Sequence, residues 1–157
     1  MRGSTTSGAV LVATLLASTN CSVGDFDPRE VVREQLDAAR DRWSAAGYED
    51  YSVIIKRACG NCQGGTEFAR LIVRNNARES ATFFETGDTV PAEELPLYLT
   101  VLELFDVIDD ALREGADEIT VQYDALLAYP TAIFVDRVAE TLNDEIAYTA
   151  HTVEPLN

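Results

Sequence analysis

The chain has 157 residues, 46% of them hydrophobic and 25% charged, with 27 acidic against 12 basic side chains and a formal net charge of −15 at pH 7. That is enough chain for one compact domain and too little for two ordinary ones. A surface this acidic offers no grip on phosphate backbones, which excludes nucleic acid as a partner, and anionic membrane surfaces repel it unless something anchors it.

Arg2 followed by the apolar run 9–17 and the small polar residues Ser18, Thr19 and Asn20 has the order of a secretory signal peptide, too short to span a bilayer. Residues 1–20 are therefore expected to be removed on export. Cys21 stands where a lipoprotein carries its lipid-modified cysteine, although Asn20 replaces the usual small residue before it. The alternative is cleavage near Ala17 or Ser18, leaving Cys21 as a lone thiol, a liability in an oxidising compartment. Residues 21–27 read as a linker and 28–157 as a single α+β domain.

The first helix is announced by Asp27 as N-cap, Pro28 at its first position and Glu30 at the capping-box position. Val32, Leu36, Ala39 and Trp43 form its apolar stripe and Gly47 ends it. Period-two alternation then predicts a strand over 51–56, with further strands at 67–75 and 80–85. Residues 86–96, with Gly87, Pro91 and Pro96, read as a connecting loop. Thr100 and Glu103 form a second capping box, opening a helix with Val101, Phe105, Ile108 and Leu112 inward and Gly115 at its end. Strands are expected at 118–123, 131–137 and 144–152. Both halves thus read as a helix followed by three strands. The run from Gly47 aligns with that from Gly115 without a gap, so a tandem αβββ repeat forming an antiparallel sheet with two helices on one face is expected.

Cys59 and Cys62 lie in RACGNCQGG, after a strand and before Gly64 and Gly65. A thioredoxin-like couple needs a helix N-terminus to lower the thiol pKa, and none follows. A zinc site needs about four ligands, and beyond this pair the chain offers only Cys21 and His151. A disulfide staple closing a hairpin tip is the reading adopted, with about 2 kcal/mol as the upper value for so short a loop.

Asp124, Asp136, Asp144 and Glu145 stand at expected strand ends, where they could converge as a calcium site or an acid/base pair. The sequence has no 12-residue calcium loop, and acids at strand ends also serve as turn formers and edge guards. Tyr123, Tyr129 and Pro130 are candidates for an interaction surface, Tyr129 and Pro130 projecting from a hairpin tip. The alternative has Tyr123 and Tyr148 packing under the helices while Tyr129 and Pro130 shape the turn. No catalytic set is present: His151 is the only histidine, and neither a Gly-x-Ser-x-Gly elbow nor a phosphate loop accompanies it. No cofactor is required.

Trp43, Tyr51, Cys59 and Cys62, Leu104-Phe105-Asp106, Tyr123-Asp124, Tyr129-Pro130-Thr131, Asp136 and Asp144-Glu145 occur in an order that resembles a bacterial domain-of-unknown-function family, number 6174, found largely in exported proteins and lipoproteins. The resemblance spans roughly residues 40–155. It implies export and a single α+β domain, and brings no activity. Ala128 replaces the family's turn glycine, which implies a backbone that avoids positive φ there; Asn143 replaces the first acid of an acidic trio. The expected role is a non-catalytic, lipid-anchored cell-envelope or periplasmic module binding a protein or peptide, with divalent-cation binding by the four carboxylates as the alternative.

Overall fold

The computed structural model describes residues 27–156. The expected signal peptide, the expected lipidation site Cys21 and nearly all of the expected linker lie outside them.

Helix α1 (Pro28–Ala46) starts as expected: the Asp27 carboxylate accepts from the Arg29 backbone N–H at 2.9 Å, Pro28 occupies the first turn, and Gly47 closes the helix in the left-handed region at φ 69°. Glu30 does not complete a reciprocal capping box. Three strands follow, β1 (Tyr51–Cys59), β2 (Ala69–Arg74) and β3 (Ala77–Phe83). The last begins three residues earlier than its alternation implied, because Asn75 and Asn76 both take positive φ and make a tight turn. The connecting loop carries a short 3₁₀ turn (Leu95–Leu97) and buries Val90. Helix α2 (Val101–Glu114) has the full capping box: the Thr100 hydroxyl accepts from the Glu103 N–H, and the Glu103 carboxylate accepts from the Thr100 N–H. Strands β4 (Glu118–Tyr123), β5 (Pro130–Asp136) and β6 (Ile146–Pro155) complete the chain.

The six strands form one antiparallel sheet in the order β3-β2-β1-β6-β5-β4. Each half contributes a helix and a three-stranded meander, and the meanders join where β6 pairs with β1. Element order alone carries no claim of duplication. The β1–β6 ladder slips one residue at Thr152, which takes φ 55°, a bulge that keeps both ends in register.

Both helices pack on one face. Tyr51, Val53 and Ile55 of β1, Leu71 and Val73 of β2, Ile133 and Val135 of β5, and Tyr148 and Ala150 of β6 meet Leu36 and Trp43 of α1 and Leu104, Phe105 and Ile108 of α2 in a single core. Trp43 is its aromatic hub, edge-on to Tyr48, Tyr51 and Tyr129 at centroid distances of 5.7, 5.3 and 6.2 Å, the offset arrangement that ring quadrupoles favour. The Tyr51 hydroxyl oxygen accepts from the Val101 N–H at 2.9 Å, satisfying a donor that the start of α2 leaves free. Burial pushes this phenol up to about 12. Exposed pairs Arg33–Asp109 and Arg40–Asp106 tie α1 to α2, each contributing at most about 1 kcal/mol. Among the described residues no helix is long and apolar enough to cross a membrane.

Candidate functional site: the uncovered face of the sheet

Alternation places every second strand residue on the face away from the helices. On β1 these are Ser52, Ile54, Lys56 and Ala58. Across the ladders Ile54 stands opposite Arg70 of β2 and His151 of β6, Lys56 opposite Thr149, and Ala58 opposite Ala147, which is opposite Phe134 of β5. Among the described residues no helix covers this side, yet Ser52 and Ile54 are buried under the longer side chains around them.

The rings and cations of this face cluster at one end. Lys56 Nζ lies 4.5 Å from the centroid of Phe68, and His151 meets the same ring edge-on at 4.9 Å. Arg70 leans over Phe84 at 5.9 Å and reaches Ser52 Oγ and Glu154, each at 3.4 Å. Phe84 is 52% exposed. Two cavities flank the end of β1. One, of about 340 Å³, is lined by Lys56, Thr66, Glu67, Phe68, Phe83, Glu85 and Thr86. The other, of about 290 Å³, lies among Ala58, Cys59, Gly60, Phe134, Glu145, Ile146 and Ala147. Sequence reasoning had Lys56 on the correct strand phase but gave it no role. The available signal was that the only lysine and the only histidine both fall on the outward phase of strands, which requires knowing that β1 and β6 are neighbours.

The staple borders the second cavity, which Cys59 lines. Cys59 and Cys62 are disulfide-bonded, with Cα atoms 5.3 Å apart. The following residues fold back on β1: the Arg57 backbone N–H donates to Gly65 O at 2.8 Å, and its guanidinium donates to Gln63 O and Gly64 O. Gly64 and Gly65 adopt φ 76° and 69°, and the Gly65 N–H donates to Glu94 Oε2 at 3.3 Å, fixing the loop to the turn before α2. Gly60 has no Cβ, and the Asn143 side chain occupies the space one would take.

Tyr129 and Pro130 do not project from a tip. Both are buried, Tyr129 at 5% exposure, with its ring against Trp43. Burial and the nearby Asp124 carboxylate raise its phenol, while the backbone N–H groups of Val153 and Thr152 pull the other way. Tyr148 is also buried, and Tyr123 is half-buried with its hydroxyl shielded and unpartnered; burial pushes that hydroxyl up to about 12. The expectation of Tyr129 and Pro130 projecting from a hairpin tip is therefore corrected: Tyr129 is held against Trp43 of α1, and the burial of Tyr148 follows the alternative reading. Ala128 is corrected as well. It takes φ 59°, because the turn is dictated by its bonds: Asp124 Oδ1 accepts from Leu126 and Leu127 N–H at 2.9 and 2.8 Å, Ala128 N–H donates to Asp124 O, and Asp124 N–H donates to Tyr129 O.

Nor do the four carboxylates converge. Asp124 caps the β4–β5 turn, whereas Asp136 stands at the far end of the same ladder, opposite Glu118. Asp136, Asp144 and Glu145 do share one end of the sheet. Burial raises the Asp136 carboxyl above its ordinary value, and the charges of Asp144 and Glu145 raise it further. Asp144 Oδ2 accepts from Val138 N–H and Asp117 Oδ2 from Ala139 N–H, so two of the acids of this end shape the β5–β6 loop. Among the described residues no three His, Cys, Asp or Glu side chains are grouped to hold a metal ion.

A match to the Family of unknown function (DUF6174) extends over residues 35–155. The chain belongs to this family. No curated protein and no solved structure matches it. The matched residues contain most of α1, all six strands and the staple, so the uncovered face lies wholly within the family domain.

Proposed function

We propose that this member of the family is an exported, lipid-anchored, non-catalytic module that binds a peptide or protein segment on the uncovered face of its sheet. The observation that carries the binding role is that face itself. It presents the exposed Phe84 ring, and the sole lysine and the sole histidine both against Phe68, with two cavities at its end. Aromatic side chains next to cations provide large contact area at small conformational cost, and a strongly acidic chain has few other places to receive an acidic or apolar partner. The export and anchoring roles are supported by the order of residues 1–21. A calcium-dependent role has no comparable support, since Asp124 stands apart from the other three carboxylates.

The binding role is tested with a display library of unstructured peptides selected on the full chain, followed by titration of the selected peptides against Phe84→Ala and Phe134→Ala. Weakened binding by both variants, with unchanged melting temperature, is the expected result; equal affinity for wild type and variants would place the site elsewhere. Anchoring is tested by the intact mass of protein recovered from membranes of a bacterial host. A chain beginning at Cys21 and carrying a diacylglyceryl group is expected, and an unlipidated chain would remove the anchor.

A further inference from the structure

We infer that the cavity between Lys56 and the 84–86 turn takes a small zwitterion with an apolar side chain, a free amino acid or a whole dipeptide. This rests on the uncovered face being the binding surface and names the ligand chemistry at one end of it. The volume, about 340 Å³, is in the range of small-ligand sites and suits one or two residues.

The charges lining it decide the ligand. Lys56 is the one cation that lines it, and Glu67 and Glu85 are the two anions. Among the described residues none of the three takes part in an ion pair. A ligand with only a carboxylate would meet two like charges, and a ligand with only an ammonium would pair with the glutamates but leave Lys56 without a partner. A zwitterion places its carboxylate on Lys56 and its ammonium between Glu67 and Glu85, so every charge gains a partner. Phe68 and Phe83 supply the apolar wall. The Lys56 ammonium is already held over the Phe68 ring, and His151 backs that ring from the side. The cation is thus positioned before any ligand arrives, which lowers the ordering cost of binding. The staple and the contacts of Arg57 fix the 60–66 loop that leads into this wall.

The test is calorimetric titration of the full chain with L-phenylalanine, with the dipeptide alanyl-phenylalanine, and with two single-charge probes, 3-phenylpropionate and phenethylamine. The same titrations are made on Lys56→Gln and on Glu67→Gln/Glu85→Gln, whose melting temperatures report that they fold. Saturable binding of at least one zwitterion, with Kd near or below about 1 mM, is expected. Each single-charge probe and each variant should be weaker by about tenfold or more, the size of one charge-assisted contact. Binding of the dipeptide alone or of the amino acid alone supports the site and identifies the source. No saturation by either zwitterion at about 10 mM, equal binding of a single-charge probe, or unchanged binding by Lys56→Gln overturns it. The two readings fail separately. Library peptides that depend on Phe84 and Phe134 but ignore Lys56→Gln would remove this site and leave the face, and library peptides indifferent to both rings would remove the face.

Discussion

The two faces of one sheet are built from the same strands and have come to opposite ends. Toward the helices, Tyr51, Val53, Ile55, Leu71, Val73 and Val135 are wholly buried and meet aliphatic and aromatic side chains from α1 and α2. Away from them, Ile54 is nearly as buried, but its cover is Arg70 and His151 rather than a second layer. Burial by packed helices leaves no room for anything else. Burial by long polar side chains can be undone by moving them, and that difference is why the binding role is proposed for the second face.

Adjacent residues allow the comparison to be broken most directly. Ile55→Ala removes methyl groups from a site enclosed by helices and should cost about 3–5 kcal/mol, whereas Ile54→Ala should cost about 2 kcal/mol or less, because Arg70 and water can close over the gap. Chemical denaturation of the pair checks this, and equal losses would mean that the open face is packed like a core. Next in size, Cys59→Ser with Cys62→Ser should lower stability by up to about 2 kcal/mol through the freer unfolded chain. If reduction of the wild type leaves the denaturation midpoint unchanged, the stapled loop is held by Arg57 and Glu94 alone. Ala128→Gly should raise stability by about 1 kcal/mol, since Ala128 occupies a conformation that its Cβ disfavours; a lower melting temperature would show that its buried methyl group outweighs the backbone strain. On the open face, Phe84→Ala should change stability by about 0.5 kcal/mol or less, so that any larger loss assigns the ring a structural role.

The smallest effect is one of pH. The Asp136 carboxyl is raised in the folded protein by burial and by Asp144 and Glu145. The unfolded chain therefore releases its proton first, and stability falls as pH rises from the ordinary aspartate value of 3.8 through the raised folded one. Asp136→Asn should lack that fall and be the more stable protein at neutral pH. Melting curves between about pH 3 and pH 7 on both proteins test it, and parallel profiles would show that the Asp136 carboxyl is not raised in the folded protein.

The staple is a case where sequence spacing was enough, because two cysteines three residues apart, beside glycines and with no helix to follow, leave few geometries. The helices were equally legible: Asp27, Pro28 and Gly47 bound α1, and Thr100, Glu103 and Gly115 bound α2, since caps and glycine ends are local chemistry. Strand phase was readable too, as Tyr51, Val53 and Ile55 against Ser52, Ile54 and Lys56 show. The site was not. Asp124 and Asp136 look equivalent along the chain, but a β-ladder of six residues holds them apart. Tyr129 looks like an exposed turn residue, but α1 returns over it and Trp43 claims its ring.

What the amino-acid order determined by itself was everything set within a few residues: the helix ends, the inward and outward phases of the strands, the staple and the acidic charge. What the tertiary structure decided was which strands lie side by side. Only the pairing of β6 with β1 brings His151 toward Lys56, and only the position of both helices on one side leaves that pair uncovered. Those contacts join residues some 95 positions apart, from 56 to 151, and depend on how one buried face is satisfied by distant segments, which local pattern does not encode.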